Sequence, residues 1–161
     1  MNVLLVCTGN TCRSPIASEM LKEMADEVPL LKNNVKVKSA GTFAAIDIPA
    51  TDEAITVIKS YGYDIRRHKS AQFDGQLAKW ADLILTMEAK HIEHIEAMVP
   101  SAEEKTHTLL GYADGVDGYP GDGRFDIKDP FGEPYEAYIE ASEIIEQGLN
   151  KIINRFRGLD F

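Results

Sequence analysis

The segment that most constrains the fold of this chain is a short apolar run followed at once by a compact polar loop. Residues 2–7 are almost entirely apolar, and residues 7–15 read Cys-Thr-Gly-Asn-Thr-Cys-Arg-Ser-Pro. An apolar run of this length predicts a strand that is buried on both faces of a parallel sheet. Ser14 and Pro15 predict a helix start, with Ser14 at the N-cap. Strand, loop and helix N-terminus together predict an anion-binding site.

Strand-like and helix-like segments alternate along the rest of the chain. Further strands are predicted at 35–39, 83–87 and 106–110. Helices are predicted after Pro15, from Thr51, around 92–98 and over 138–156. The alternation predicts an α/β fold, a three-layer sandwich with a central four-stranded parallel sheet flanked by helices. With no internal repeat and no linker, we expect a single domain over residues 1–161, with a long Gly- and Asp-rich loop over 111–132.

Charge and composition exclude several classes of protein. The net charge of −9 disfavours a nucleic-acid partner or an anionic membrane surface. No apolar run approaches the roughly 20 residues of a membrane span, and the N-terminus lacks a signal-peptide pattern. Two cysteines with four residues between them match neither a disulfide framework nor a zinc ribbon. We therefore expect a cytoplasmic monomer without a metal or other cofactor.

The loop that follows the first strand contains the residues for chemistry on a phosphate. Its backbone N–H groups can converge on one point and form a nest for a tetrahedral dianion. Arg13 adds a planar fork that holds two phosphate oxygens. The positive field of Arg13 and the helix N-terminus should ionise the Cys7 thiol near neutral pH, and Ser14 can donate a hydrogen bond to the sulfur. Gly9 and Asn10 suit left-handed backbone angles.

The nine-residue loop resembles the phosphate-binding loop of the low-molecular-weight protein phosphatases. The similarity continues along nearly the whole chain, at Ser39-Ala40-Gly41, at residues 81–87 and at Asp129-Pro130-Phe131-Gly132. By this resemblance Cys7 is the nucleophile, Arg13 binds the phosphate and the transition state, and Asp129 is the general acid. The resemblance also implies that the loop residues bind phosphate, namely Thr8, Gly9, Asn10, Thr11, Cys12 and Ser14.

Two residues outside the loop are candidates for supporting roles by the same resemblance. His68 belongs, with Asn10 and Ser14, to the network that shapes the loop. Phe43 falls where the family places a wall of the pocket, where its ring could stack on a phenol or a guanidinium. Burial in the ordinary core is an equally good interpretation of Phe43.

The implied reaction has two steps and needs no metal. The Cys7 thiolate attacks phosphorus while Asp129 protonates the leaving group, and water activated by the Asp129 carboxylate then hydrolyses the phosphocysteine. Substrates would be phosphorylated proteins. Asp129 could instead be a solvated loop residue that stabilises a turn, as could any of the four other Asp residues of this loop.

The identity of the phosphorylated side chain is open between two alternatives. Hydrolysis of phosphotyrosine is the main hypothesis. Tyrosine-specific members of the family, however, carry an aliphatic residue where this chain has Thr11. The sequence around Thr11 also resembles bacterial protein-arginine phosphatases, and a hydroxyl there can pair with a guanidinium N–H. Arsenate reduction is a remote alternative, because it needs further cysteines. A phosphopeptide-binding module without catalysis is another.

Two smaller features complete the sequence-based predictions. Cys12 could form a reversible disulfide with Cys7 that protects the nucleophile, or it could simply fill the back of the loop. His91 and His94 share one helical face with acidic neighbours. A solvated charged face explains these histidines better than a zinc site, because their spacing matches no known zinc motif.

Overall fold

The fold places the carboxyl ends of all its strands at one edge of a central sheet. A computed structural model describes residues 1–116 and 121–161. In this part of the chain the strands are β1 (Asn2–Cys7), β2 (Lys36–Gly41), β3 (Leu83–Thr86) and β4 (Thr106–Thr108). All pairings are parallel, and the order across the sheet is β2-β1-β3-β4. The predicted four-stranded parallel sheet is therefore confirmed.

Helices cover both faces of the sheet. They are α1 (Arg13–Asp26), α2 (Asp52–Ser60), α3 (Gly75–Trp80), α4 (Ala89–Met98), α5 (Leu109–Ala113) and α6 (Tyr135–Phe156), with a 3-10 turn at Pro100–Lys105. None of the helices in the described residues combines the length and the apolar character needed to cross a membrane.

The two faces of β1 belong to two different hydrophobic clusters. Val3 and Leu5 pack with the buried faces of α1, α2 and α6, whereas Leu4 and Val6 pack with residues of α3 and α4. All of these β1 side chains are completely buried. Because successive side chains of a strand point to opposite faces, the apolar run packs against the helices on both faces of the sheet.

The start of α1 differs from its predicted form. The helix begins at Arg13 with Cys12 in the N-cap position and without a side-chain cap. Ser14 is not the N-cap, because its hydroxyl contacts the Cys7 sulfur instead. Pro15 is therefore the third helical residue, where its missing N–H still costs nothing, since the first four N–H groups of a helix have no intrahelical partner.

The last strand is shorter than predicted. The strand ends at Thr108, whose hydroxyl accepts a hydrogen bond from the Gly111 N–H and so caps α5. The apolar pair Leu109-Leu110 therefore belongs to this helix and not to β4, and the predicted loop over 111–132 begins with the rest of α5. Residues 117–120 of that loop lie outside the described residues. The short helix α3, which begins after the cap at Asp74, was not predicted.

Candidate active site

A cavity of about 220 Å³ opens at the carboxyl end of β1. Its lining combines the loop after β1 with the segment that precedes α6. The lining residues are Cys7, Thr8, Gly9, Thr11, Cys12, Arg13, Asp129 and Phe131. Most of the predicted site residues thus surround one space, and Asn10, Ser14 and His68 lie behind the loop.

The loop is held in its curved form by the fully buried Asn10. This residue has a left-handed backbone with a φ of 55°, whereas Gly9 does not, although both were expected to adopt such angles. The Asn10 side-chain NH₂ donates to the hydroxyls of Ser14 at 2.8 Å and Ser39 at 2.9 Å. The Asn10 Oδ1 accepts from the N–H of Ala71 at 2.9 Å. These bonds join the loop to β2 and to the segment beyond it.

His68 and Gly41 support the loop from the same side. His68 Nε2 donates to the Asn10 carbonyl oxygen at 2.7 Å, as expected for a residue that shapes the loop. Burial lowers the pKa of His68, although this hydrogen bond to Asn10 opposes the shift. Gly41 ends β2, and a Cβ there would collide with the carbonyl oxygen of Thr8. Only glycine lets β2 approach the loop so closely.

Two hydrogen-bond donors contact the Cys7 sulfur. Ser14 Oγ is 2.9 Å from Cys7 Sγ, and the Asn10 backbone N–H donates to the same sulfur at 3.2 Å. Because Ser14 Oγ already accepts from Asn10 Nδ2, its own hydrogen is available for the sulfur. The chain of donors therefore runs from Asn10 through Ser14 to Cys7, which suits a negatively charged sulfur.

The acidity of the Cys7 thiol differs from the sequence-based expectation. Burial raises the pKa of Cys7, while the hydrogen bond to Ser14 and the charge of Arg13 lower it. The net shift of the Cys7 pKa is therefore opposite in direction to the lowering that the sequence predicts. The cause is burial, because Cys7 is only 3% exposed and a thiolate there is removed from water.

Arg13 is buried and held at one end by two acceptors. Its Nη1 donates to Glu88 Oε2 at 2.6 Å and to the carbonyl oxygen of Ile127 at 2.7 Å. Its Nη2 forms an ion pair with Asp129 Oδ2 at 3.2 Å. Arg13 Nε is buried and has no hydrogen-bond partner among the described residues. Since Nη1 is fully used, the Nε–Nη2 edge of the fork remains for the two oxygens of an anion.

Glu88 was not predicted as a site residue. It lies directly before α4, at the same edge of the sheet as Cys7. Burial opposes its ionisation, but the hydrogen bond and charge of Arg13 hold the pKa of Glu88 below its usual value. The signal in the sequence was an acidic residue at the carboxyl end of a buried strand, which is a common place for functional groups in this class of fold.

His91 is a second residue whose position at the site was not predicted. Its side chain is 1% exposed, so the predicted solvated face is wrong for this histidine. His91 Nε2 lies 2.9 Å from Thr8 Oγ1, and its Nδ1 accepts from the Glu88 N–H at 3.1 Å. His91 thus connects the start of α4 to the loop around the anion site.

Asp129 faces the cavity from a segment that is attached to α4. Within this segment the Ile127 N–H donates to the Met87 carbonyl oxygen at 2.8 Å. Asp126 Oδ1 accepts from the N–H of Ala89, the first residue of α4, at 2.7 Å. The Asp129 Oδ1 accepts from the Phe131 N–H at 3.2 Å, which leaves Oδ2 against Arg13. The carboxylate is partly exposed, so a substrate can reach it.

The remaining predicted residues divide between the wall and the back of the site. Thr11 lines the cavity, and its carbonyl oxygen accepts from the Thr51 N–H at 3.0 Å. Cys12 is buried, with its sulfur 3.5 Å from Tyr138 Oη and 3.6 Å from Thr51 Oγ1. Both Cys7 and Cys12 are free thiols, and the protective disulfide stays a prediction.

Phe43 does not take either of its two predicted positions. It is 73% exposed, so core burial is wrong, and it is not among the residues that line the cavity. Its ring packs on His94 with centroids 4.8 Å apart, while its backbone N–H donates to the Thr8 carbonyl oxygen at 3.0 Å. The aromatic ring of the cavity wall is supplied by Phe131 instead. The backbone bond holds Phe43 beside the loop while the side chain extends outward.

A cysteine and an arginine in one anion-binding loop, with an acidic residue opposite, define the class of cysteine-dependent protein phosphatases. The sequence pattern of the low molecular weight phosphotyrosine protein phosphatases matches residues 2–158. The chain belongs to this family.

Similar proteins carry two kinds of name. A protein-arginine-phosphatase of Geobacillus stearothermophilus is 37% identical over 96% of this chain and 95% of its own length. A probable low molecular weight protein-tyrosine-phosphatase, EpsP, of Ralstonia nicotianae is 34% identical over 98% of this chain and 97% of its own length.

Solved structures of proteins with both kinds of name are similar to this chain. The arginine phosphatase YwlE of Geobacillus stearothermophilus has a TM-score of 0.85 at 36% identity and covers 98% of this chain and 93% of its own. A low molecular weight protein tyrosine phosphatase of T. tengcongensis has a TM-score of 0.84 at 35% identity, covering 96% of this chain and 99% of its own. The fold is therefore shared with proteins of both names.

Proposed function

We propose that this protein hydrolyses phosphate from phosphorylated proteins, with Cys7 as nucleophile, Arg13 as phosphate ligand and Asp129 as general acid. The observation that carries the proposal is that all three residues line one cavity, with Asp129 Oδ2 only 3.2 Å from Arg13 Nη2. A group bound on Arg13 would thus have the sulfur and the carboxyl within the same small space. The backbone N–H groups of the loop complete the phosphate cradle, while the Ser14 hydroxyl lies behind the loop and contacts the Cys7 sulfur.

In the first step, the Cys7 thiol gives its proton to the Asp129 carboxylate, the sulfur forms a bond to phosphorus, and the bond from phosphorus to the leaving oxygen or nitrogen breaks. Asp129 transfers its proton to the leaving group. In the second step, the Asp129 carboxylate takes a proton from water, the water oxygen bonds to phosphorus and the S–P bond breaks. Ser14 and the Asn10 N–H stabilise the sulfur whenever it is anionic, and Arg13 stabilises the charge on the phosphoryl oxygens.

Arg13 needs no large rearrangement to bind a phosphate. Its Nη1 is already anchored by Glu88 and Ile127, and its unpartnered Nε supports an oxyanion ligand on that edge. A bound phosphate would compete with Asp129 for Nη2. Binding would therefore free the Asp129 carboxyl to turn toward the leaving group.

Phosphotyrosine is the main proposed substrate. The aromatic ring of Phe131 at the mouth of the cavity can pack against the phenyl ring of the substrate. Action as a monomer stays a prediction. The cytoplasmic location expected from the sequence stays a prediction.

Phosphoarginine is the second candidate, and the position of Thr11 favours it. Thr11 lines the cavity, where its hydroxyl can accept from a guanidinium N–H that would otherwise be buried without a partner. Asp129 already contacts one guanidinium, that of Arg13, and can contact that of a substrate.

One experiment tests both substrates and the proposed nucleophile. Hydrolysis of phosphotyrosine and phosphoarginine peptides is measured side by side for the unmodified protein and Cys7→Ser. We expect turnover only with Cys7, while Cys7→Ser still binds inorganic phosphate. Turnover by Cys7→Ser would overturn the assignment.

The substrate choice is tested by Thr11→Ile, with Thr56→Ile on the exposed face of α2 as the matched control. If Thr11 admits phosphoarginine, Thr11→Ile lowers the phosphoarginine rate relative to the phosphotyrosine rate, and Thr56→Ile changes neither. If the protein does not hydrolyse phosphoarginine and Thr11→Ile does not change the phosphotyrosine rate, the substrate is phosphotyrosine alone.

A further inference from the structure

The contact between His91 and Thr8 is not used in the reaction proposed above. His91 lies in the first turn of α4 and is buried, whereas Thr8 lies in the loop and lines the cavity. The two side chains meet at 2.9 Å, between Nε2 and Oγ1. A buried histidine that reaches a cavity-lining hydroxyl can control the direction of that hydroxyl.

The position of the proton on His91 follows from its other contact. The Glu88 N–H donates to Nδ1 at 3.1 Å, so Nδ1 presents its lone pair and carries no hydrogen. The neutral ring then has its hydrogen on Nε2. Burial lowers the pKa of His91 to about 3, which agrees with a neutral ring at neutral pH.

The Thr8 hydroxyl consequently has one defined role. It accepts the hydrogen from His91 Nε2, so its own hydrogen is free for a second acceptor. Within residues 1–116 and 121–161, no hydrogen-bond acceptor for this hydrogen is found. Thr8 lines the same cavity as Cys7 and Arg13, where the phosphate group would lie.

We propose that His91 is a positioning residue that turns the Thr8 hydroxyl into a hydrogen-bond donor to a non-bridging oxygen of the bound phosphate group. This inference rests on the proposed function, since it assigns a further contact in the same site. Glu88 fixes His91 from both sides, because its N–H binds Nδ1 and its carboxylate accepts from the His91 N–H. The same carboxylate binds Arg13, so the start of α4 orients two phosphate ligands at once.

Four substitutions separate the roles of the two side chains. Thr8→Val removes the hydroxyl with little change of volume, and Thr8→Ser retains it. His91→Asn places an acceptor near the position of Nδ1 but has no group near Nε2. His91→Gln places a donor NH₂ near the position of Nε2 and can still reach Thr8.

The measurement is the binding of inorganic phosphate to the whole protein by titration calorimetry. We expect Thr8→Val and His91→Asn each to raise the Kd for phosphate about tenfold, and the double variant to raise it no further. Thr8→Ser and His91→Gln should bind within about twofold of the unmodified protein. A purely structural role for His91 would make the two effects additive and would leave His91→Gln as weak as His91→Asn.

The inference is overturned if Thr8→Val binds phosphate as well as Thr8→Ser, or if the effects of Thr8→Val and His91→Asn add. If His91→Asn does not fold, the comparisons of Thr8→Val with Thr8→Ser and of His91→Gln with the unmodified protein decide the question. Calorimetry measures binding without turnover, so this test is independent of the proposed function. The proposed function fails if the unmodified protein hydrolyses neither phosphopeptide.

Discussion

Arg13 Nη1 lies 2.6 Å from Glu88 Oε2, and this bond fixes the orientation of the guanidinium before any ligand is present. Arg13 is almost completely buried, and Glu88 is 16% exposed at its side chain. The pair joins the first turn of α1 to the residue that precedes α4. A long flexible side chain is thus ordered in advance, so less entropy is lost when phosphate binds.

Removal of the Glu88 carboxylate should misdirect Arg13. Hydrogen bonds to charged groups contribute about 1.5–3 kcal/mol, so we expect Glu88→Ala to lower kcat/KM by about 10- to 100-fold. Glu88→Gln keeps an oxygen acceptor and should lower kcat/KM by a smaller factor. Steady-state kinetics on an aryl phosphate measure this, with Glu104→Ala on the exposed 3-10 turn as the control. Glu88→Ala with unchanged kcat/KM would contradict the orienting role.

Replacement of Asp129 should affect substrates according to their leaving groups. An acid that protonates the leaving group contributes about 10²–10⁴-fold to the rate. We expect Asp129→Asn to lower kcat by that factor for phenyl phosphate, and by much less for p-nitrophenyl phosphate, whose phenolate leaves without a proton. Asp122→Asn, an exposed change in the same loop, is the control. Equal losses for both substrates would argue against Asp129 as the acid.

Protonation of His91 should destabilise the fold in mild acid. The pKa of His91 is about 3 in the folded protein, because of burial, and about 6.5 when unfolded. The unfolded state therefore binds more protons between these values, so stability falls as pH falls below about 6.5, by up to about 1.4 kcal/mol per pH unit. Denaturant unfolding of the protein and His91→Asn at pH 7.5 and pH 5 measures this. The difference in free energy of unfolding between the unmodified protein and His91→Asn should decrease by about 2 kcal/mol from pH 7.5 to pH 5. The same difference at both pH values would refute the predicted effect of His91 protonation.

Gly148 permits the close packing of α6 against α5. A Cβ there would lie 2.5 Å from Leu109 Cδ2 and 3.0 Å from Leu110 Cδ2. Overpacking of this kind costs about 1–3 kcal/mol, which exceeds the gain of up to about 1 kcal/mol from replacing a helical glycine by alanine. We expect Gly148→Ala to lower the free energy of unfolding. Gly75→Ala, where a Cβ would meet no atom within 4 Å, is the control and should not destabilise α3.

The local signals were sufficient for the framework of the fold. The apolar run of β1 and the three- and four-residue spacing in α6 were each visible in the sequence, because burial of one face dictates the spacing of apolar residues. The prediction that Leu109-Leu110 continue β4 was wrong, because a short apolar run suits a strand or a helix equally well. The helix begins there because the Thr108 hydroxyl accepts a hydrogen bond from the Gly111 N–H, and the apolar pattern does not reveal this contact.

The sequence by itself determined that a thiol and a guanidinium share one short loop after a buried strand, since that depends on neighbours along the chain. The tertiary structure alone decided what surrounds them. Glu88 lies 75 residues from Arg13 in sequence, and His91 lies 83 residues from Thr8, yet each pair is in contact. These partners meet because parallel strands bring their carboxyl ends to one edge of the sheet. Burial of Cys7 in the folded protein raises the pKa of its thiol, an effect that neighbours along the chain do not reveal.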